Sequence, residues 1–595
     1  MPHDALPRWD LSALYATPHD PRLTDDRARI RTEVEGFASA YRGTIATLNA
    51  LALHDALRRY ETLQEALGKL SSYADLLFST DSITPSVVAL TQNLNEFVSD
   101  CASALVFFTL ELNVLSEQAL QDAFATHPPL AQYAPWLRDL RVFRPHQLDE
   151  ALEKLFVDKA ITSEAAWVRL YEDISNRMKV TVEGKALTLA EALDLLSHPK
   201  EPTRKAAAIA LSGAFTERAD QFTLIFNTLI KDKAIEDAWR GYARPVSSRN
   251  LANLVEDTVV DALTDTVTAQ YQALSERYYL LKARLLGKER LAFWDRNAPL
   301  PHDDDASISW EDARDMVLSA YRAFSPDMAD IAERFFTEGW IDAPVVEGKT
   351  SGAFSHPTVP SAHPYILMNY QGKVRDVMTL AHELGHGVHQ VLSSGQGALM
   401  ADTPLTLAET ASVFGEQLTF QYLLSREQHP QARIRLLAGK VEDMLNTVVR
   451  QIAFYRFEEA LHDARREGEL SADVIAEHWM RTQAESFGRA IDLDNRYRPF
   501  WMYVSHFFHT PFYVYAYAFG DCLVNALYAI YLEEQAAGRA AVFEQRYLDM
   551  LRAGGTLRHK ELLAPFGIDI TRPDFWSKGL SHISSLIDAL ERELA

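Results

Sequence analysis

Lys373 to Ser393 reads Lys-Val-Arg-Asp-Val-Met-Thr-Leu-Ala-His-Glu-Leu-Gly-His-Gly-Val-His-Gln-Val-Leu-Ser, and the fold is decided by how this stretch is read. Val374, Val377, Met378, Ala381, Leu384, Val388 and Val391 recur at helical spacing, which predicts one amphipathic helix. On such a helix His382 and His386 leave one face a single turn apart and can share a zinc ion. Glu383 points beside that pair, where a carboxylate reaches a water on the metal without ligating it. A buried amphipathic helix with two hydrogen-bonded histidines fits the same pattern.

A catalytic zinc takes three protein ligands and leaves one position open, so a third donor has to come from elsewhere. The metzincin pattern would need a glycine at 389 and a histidine at 392, whereas the chain has His389 and Leu392. His389 lies roughly 10 Å along the axis from His382, too far for the three rings to converge, and reads as a packing or supporting group. The alternative is a glutamate from the next predicted helix, Pro404 to Leu424. Glu409 and Glu416 lie seven residues apart there, hence on one face. Glu409 sits in an apolar run, where a carboxylate is costly unless paired or metal-bound; Glu416 suits the orienting of a ligand histidine. Solvated glutamates on an exposed face remain the rival reading.

These residues carry a resemblance. His382-Glu383-Leu384-Gly385-His386, then Leu407-Ala408-Glu409-Thr410-Ala411-Ser412, then Pro511-Phe512-Tyr513-Val514-Tyr515-Ala516-Tyr517 resemble the oligoendopeptidase F family, a branch of the thimet oligopeptidase-like zinc peptidases. Gly352-Ala353-Phe354, Gly554-Gly555, Glu561-Leu562-Leu563 and Phe575-Trp576 add to it, so it spans most of the chain from about residue 110. The resemblance implies that His382, His386 and Glu409 bind one Zn2+ per chain and that Glu383 is the catalytic base. It also implies an elongated, two-lobe helical zincin with a deep channel between the lobes, which admits short unfolded peptides and excludes folded proteins.

Composition agrees with such a protein. At 595 residues and 47% hydrophobic the chain can build a large core, and it has no run of 18 or more uncharged apolar residues. Cys101 to Leu115, interrupted by Glu111, reads as a core helix. The N-terminus lacks a secretory pattern, and Cys101 and Cys522 are too few for a disulfide framework, so the expected location is the cytoplasm. A net charge of -23 disfavours nucleic acid and anionic membrane as partners. Short peptides are the expected partners, and the oligomeric state is unassigned.

From Pro21 to about Tyr171 the chain reads as successive amphipathic helices, with Asp55 to Leu77 and Pro85 to Ser116 as examples. Met178 to Leu189 reads as a small hairpin turning at Glu183-Gly184. Asn297 to Ser307 and Val345 to Pro364 read as connections. Tyr365 to Gln371, just before the histidine helix, reads as a strand, either an ordinary paired one or an open edge able to pair with a peptide backbone. Thr510-Pro511 reads as a helix start, which puts Tyr513 and Tyr517 on one face with His506 and His509 on the approach. One or more of these four would donate to the oxyanion of peptide hydrolysis, against the rival of an aromatic core helix.

The expectation is therefore a mainly α protein with a small β-sheet beside the zinc helix, divided as 1–200, a helical lobe, and 201–595, a catalytic region. Its expected function is hydrolysis of internal bonds of short peptides, with Glu383 as general base toward a zinc-activated water. A related helical zinc carboxypeptidase, a non-enzymatic peptide-binding scaffold and a structural zinc site are the alternatives.

Overall fold

The computed structural model describes residues 6–300 and 307–594. Helices dominate, and strands occur only as three small sheets among the described residues. The chain forms two compact units, each assembled from three stretches: Met1–Arg144, Asp305–Arg426 and Ile530–Ile568 in one, Pro145–Asp304, Glu427–Ala529 and Asp569–Ala595 in the other. The expected division at residue 200 runs along the chain, whereas these units interleave, because helices distant in sequence complete each core. Residues 1–144 and 145–200 consequently fall in different units.

In the first unit the helix Ala50–Thr80 starts at Asn49, whose side-chain oxygen accepts from the Ala52 N–H at 2.9 Å. It buries Leu53, Leu57, Tyr60, Leu63, Leu67, Leu70 and Ala74, a row at helical spacing. Pro85–Val114 packs against it and buries Leu94, Phe97, Cys101, Leu105, Phe108 and Leu112. This helix is long and apolar enough to cross a membrane by composition alone. Its Glu111, however, caps a neighbouring turn by accepting from the Gly43 N–H at 2.7 Å, and one row of its side chains lies in the core as expected.

The sheet beside the histidine helix has the order Ile341–Asp342, Tyr365–Leu367, Phe354–His356, its first pair parallel and its second antiparallel. The strand expected at Tyr365 to Gln371 exists over Tyr365–Leu367, but it is central, with a partner on each side. The open-edge reading is corrected accordingly. The edge beside it is Phe354–His356, inside the stretch read as a connection from Val345 to Pro364. Past the sheet, Asp376 accepts from the N–H groups of Gln371 and Lys373 at 2.8 and 3.0 Å, and so caps the helix Val374–Ser393 with a negative charge at its positive end.

In the second unit the expected hairpin is present. Lys179–Val182 pairs with Lys185–Thr188, and Glu183 and Gly184 take φ of 49° and 83°, both positive as a two-residue hairpin turn requires. Residues 301–306 of the predicted connection Asn297 to Ser307 lie outside the described residues.

Two helix expectations are corrected. Pro404 to Leu424 is not one helix but Leu405–Ala408 followed by Thr410–Arg426, interrupted at Glu409, where ψ is -1°. Thr510-Pro511 does not start a helix either. His506–His509 is a single turn, the chain then reverses with Phe512 at φ 60°, and the next helix begins at Tyr515. The Phe512 N–H donates to Glu458 at 2.9 Å, a contact made 54 residues back in the chain that holds this costly backbone conformation.

Candidate active site

The histidine helix contains Gly385 and Gly387, each of which costs a helix about 1 kcal/mol relative to alanine. Full burial of Val377, Leu380, Leu384 and Val388, at about 1.5–3 kcal/mol apiece, outweighs that cost. The glycines serve close packing. A Cβ on Gly385 would lie 2.4 Å from the Ala411 carbonyl oxygen, and one on Gly415 would lie 3.0 Å from that of Ala381, so the two helices touch through their backbones at the site. Two buried tyrosines fix the pair: the Tyr321 hydroxyl donates to the Ala381 carbonyl at 2.5 Å and the Tyr547 hydroxyl to that of Thr410 at 2.9 Å.

This approach brings His382, His386 and Glu409 together. The two Nε2 atoms are 3.2 Å apart, and each lies 3.5 Å from Glu409 Oε2. Ligands about 2.0–2.1 Å from a tetrahedral ion stand roughly 3.3–3.4 Å from one another, so the three donors fit one zinc and leave a fourth position. The rings are held for that role. His382 Nδ1 donates to Glu416 Oε1 at 2.6 Å and His386 donates to the Ala408 carbonyl, which leaves both Nε2 lone pairs facing Glu409. Ser412 Oγ donates to Glu409 Oε2 at 2.6 Å.

Electrostatics point the same way. Burial would keep His382 neutral, but the hydrogen bond to Glu416 and the charges of Glu416, Glu409 and Glu383 outweigh it and raise its pKa to about 9. Burial drives His386 down to about 4, against the charge of Glu409. The cluster thus favours one positive charge between two imidazoles, which a metal ion supplies in place of a proton.

Glu383 is 6% exposed and stands beside the donors without joining them. Burial is the main cause that raises its carboxyl to about 7; His382 opposes it, and so does the Ser355 N–H, which donates to it. Ser355 is tied twice more to the histidine helix: its Oγ donates to Gln390 Oε1 at 2.8 Å and its carbonyl accepts from Gln390 Nε2 at 3.1 Å. Sequence reading found the helix and its Glu383 but not this strand contact, since nothing in Ser355 or Gln390 alone marks it. His389 is buried and packed as expected, its pKa lowered to about 4 by burial. It lines, with His386, Trp340, His363 and Asp402, a cavity of about 740 Å³ in the same unit.

Among the four residues expected to serve the oxyanion, the structure groups three. In the second unit His506 Nε2 and the Tyr517 hydroxyl are 3.2 Å apart, while the Tyr513 ring stacks on His506 at 5.7 Å and meets Tyr517 edge-on at 5.3 Å. His509 faces another way, 3.5 Å from Glu172 and edge-on to Tyr171. Tyr515 is buried and accepts from Asn253 at 2.8 Å.

Two ring nitrogens from one helix and a carboxylate oxygen from Glu409, at the break between the next two, carried on a mainly helical scaffold, make a donor set that could hold one metal ion, as in helical metallopeptidases. Comparison with known proteins narrows this. The family model of peptidase family M3 matches residues 195–582, and that of oligopeptidase F matches residues 111–179. Oligopeptidase PepF of Bacillus subtilis is 26% identical over 594 residues, covering 98% of this chain and 87% of its own. Among solved structures, a candidate peptidase of Chlamydophila abortus superposes with a TM-score of 0.86 at 23% identity, covering 100% of this chain and 99% of its own. Oligoendopeptidase-F of Enterococcus faecium does so with a TM-score of 0.71 at 20% identity, covering 96% and 99%. The chain belongs to peptidase family M3, in its oligoendopeptidase F branch, and is a metallopeptidase.

Proposed function

We propose that this metallopeptidase is a zinc-dependent oligopeptidase that hydrolyses internal bonds of short, unstructured peptides. The observation that carries the reading is the spacing of His382 Nε2, His386 Nε2 and Glu409 Oε2, 3.2 to 3.5 Å from one another, with Glu383 beside them and outside the donor set. Those three residues would hold one zinc per chain, which when bound supplies Lewis-acid polarisation of the scissile carbonyl and a more acidic water.

The rest of the chemistry belongs to the chain's own side chains. Glu383, its carboxyl near neutrality, takes the proton of the attacking water and delivers it to the leaving amide nitrogen, so no covalent intermediate is needed. Glu416 holds His382 in the tautomer that presents Nε2, and Ser412 keeps the Glu409 oxygen turned to the imidazoles. Hydroxyl and imidazole donors such as those of the Tyr513, Tyr517 and His506 group are of the type that stabilises an oxyanion. Cys101 and Cys522 are buried and unpaired, which suits a reducing compartment, and we place the enzyme in the cytoplasm. With a charge of -23, nucleic acid and anionic membrane are poor partners.

The test is mass spectrometry of a digest of short peptides blocked at both ends, with and without a chelator. Internal cuts that vanish with the chelator and return with zinc are expected. Cleavage restricted to unblocked C-termini would make the chain a carboxypeptidase instead.

A further inference from the structure

The cavity of about 740 Å³ in the first unit has a chemistry that the proposed mechanism does not use. His386 and Ala408 stand in its wall, so it adjoins the three metal donors, and its volume falls within the range of about 300–1,000 Å³ usual for ligand pockets. Glu65, from the helix Ala50–Thr80, and Asp402 also line it. Glu65 is half-buried and accepts from the Ser361 N–H at 2.9 Å, while Asp402 is exposed. Neither carboxylate has an ion-pair partner among the described residues. The only fixed cation among the residues that line the cavity, Arg334, is already taken by Glu338 at 2.9 Å. Burial lowers the pKa of His363, which therefore adds no positive charge.

The walls are stiff and partly aromatic. The rings of Tyr60 and Trp136 lie 5.8 Å apart, and Trp340 stacks on His363 at 4.1 Å. Pro357 and Pro360 fix the backbone that follows the strand Phe354–His356. The loop carrying Asp402 is held from behind: the Gly555 N–H donates to the Met400 carbonyl at 2.8 Å, and a Cβ on Gly555 would lie 2.6 Å from the Asp402 carbonyl oxygen. The Gly554-Gly555 pair thus lets two backbones meet where any side chain would push Asp402 away. His389, 5% exposed, contributes a ring nitrogen, Nε2, that is buried without a hydrogen-bond partner.

Uncompensated carboxylates among aromatic rings are what an ammonium or guanidinium group requires, since the carboxylates accept charge-assisted hydrogen bonds and ring faces attract a cation. An anion would meet two like charges, and a wholly apolar ligand would bury the Glu65 carboxylate unpaired. We propose that this cavity is the enzyme's specificity pocket and takes a positively charged group of the bound peptide, recognised by Glu65 and Asp402. A peptide's amino terminus and its Lys or Arg side chains share that chemistry. That the ligand is a peptide rests on the oligopeptidase reading.

The test is isothermal titration calorimetry on the zinc-loaded Glu383→Gln protein, which leaves the probes uncut. The probes are a short neutral peptide blocked at both ends, a series with one Arg at each position in turn, the same series with citrulline, and the neutral peptide with its amino terminus free. At least one charged probe should bind about tenfold tighter than its uncharged counterpart. An Arg position identifies the side chain as the source, and the free amine identifies the terminus. Added to this protein, Glu65→Gln keeps an acceptor for Ser361 and should cut the preference to about twofold or less, with the citrulline peptides bound as before. General attraction to a chain of charge -23 would survive that substitution. If Glu65→Gln does not fold by circular dichroism, Asp402→Asn, at an exposed position, takes its place and should at least halve the preference. No charge preference before substitution, or an undiminished one in the folded variant, would overturn the proposal. Calorimetry reads binding without turnover, so the predicted preference in a protein whose wild type cuts no blocked peptide would refute the oligopeptidase reading and leave the pocket assigned.

Discussion

Glu416 Oε1 lies 2.6 Å from His382 Nδ1, on the side of the imidazole opposite the nitrogen that faces His386 and Glu409. That bond fixes the tautomer, so Glu416 and Glu409 have separable roles although they flank the same histidine. Glu409→Ala removes a donor and should cost both bound zinc and activity. Glu416→Ala should weaken zinc affinity by about 10 to 100-fold, with activity returning at raised zinc concentration. Zinc titrations of the two apoproteins check this, and the reverse order of losses would exchange the two assignments.

The backbone contact between the paired helices predicts a sensitive position. In Gly385→Ala the new methyl would meet the Ala411 carbonyl at 2.4 Å, so the helices must separate or bend. About 1 to 3 kcal/mol of stability should be lost, and zinc affinity with it, because Glu409 and Glu416 move with the displaced helix. Gly213, in the helix Glu201–Thr216, has nothing within 4 Å of the corresponding position, so Gly213→Ala should be neutral or slightly stabilising in the same melting experiment.

The histidine helix was legible because its apolar period and its ligand spacing are written in consecutive residues. Glu409 was legible as a donor but not as a helix break, since Leu-Ala-Glu-Thr-Ala-Ser contains nothing that excludes continuous helix. Tyr365–Leu367 was legible as a strand, yet whether it formed an edge depended on partners at Ile341 and Phe354, which local pattern cannot show. Thr510-Pro511 misled for a related reason. Its local signal is that of a helix start, but the path through Phe512 at φ 60° is held by Glu458 from another helix.

That contact has a pH signature. Burial raises the Glu458 carboxyl to about 8, against the opposing Phe512 N–H. Because an unfolded glutamate titrates near ~4.3, the folded protein keeps a proton that the unfolded chain releases between these values. The stability this group confers is full below the unfolded pKa and is lost as pH rises through about 8. Glu458→Gln keeps an acceptor for Phe512 and has no proton to lose. Compared with that variant, wild type should lose on the order of a few kcal/mol between about pH 4.5 and 8 in urea unfolding. Parallel profiles for the two proteins would mean that the carboxyl titrates normally.

The grouping of His506, Tyr513 and Tyr517 makes a kinetic prediction. A donor used chiefly in the transition state should, when removed, lower kcat by about 100 to 1000-fold with little change in KM. At least one of Tyr513→Phe, Tyr517→Phe and His506→Ala should behave so, while His509→Ala, whose ring turns to Glu172, should keep its kcat. Steady-state kinetics with thermal melting distinguishes this from loss of packing. Near-normal kcat in the three grouped variants would place the oxyanion donor elsewhere.

The central claim is that Glu383 works on water and not on the metal, and it is tested most directly by measuring zinc content and turnover together in Glu383→Gln. The substitution preserves size and hydrogen bonding next to Ser355 while removing the base. The account predicts zinc near one per chain, with turnover of a blocked peptide reduced by several orders of magnitude. Loss of zinc along with activity, or turnover close to wild type with zinc retained, would contradict it.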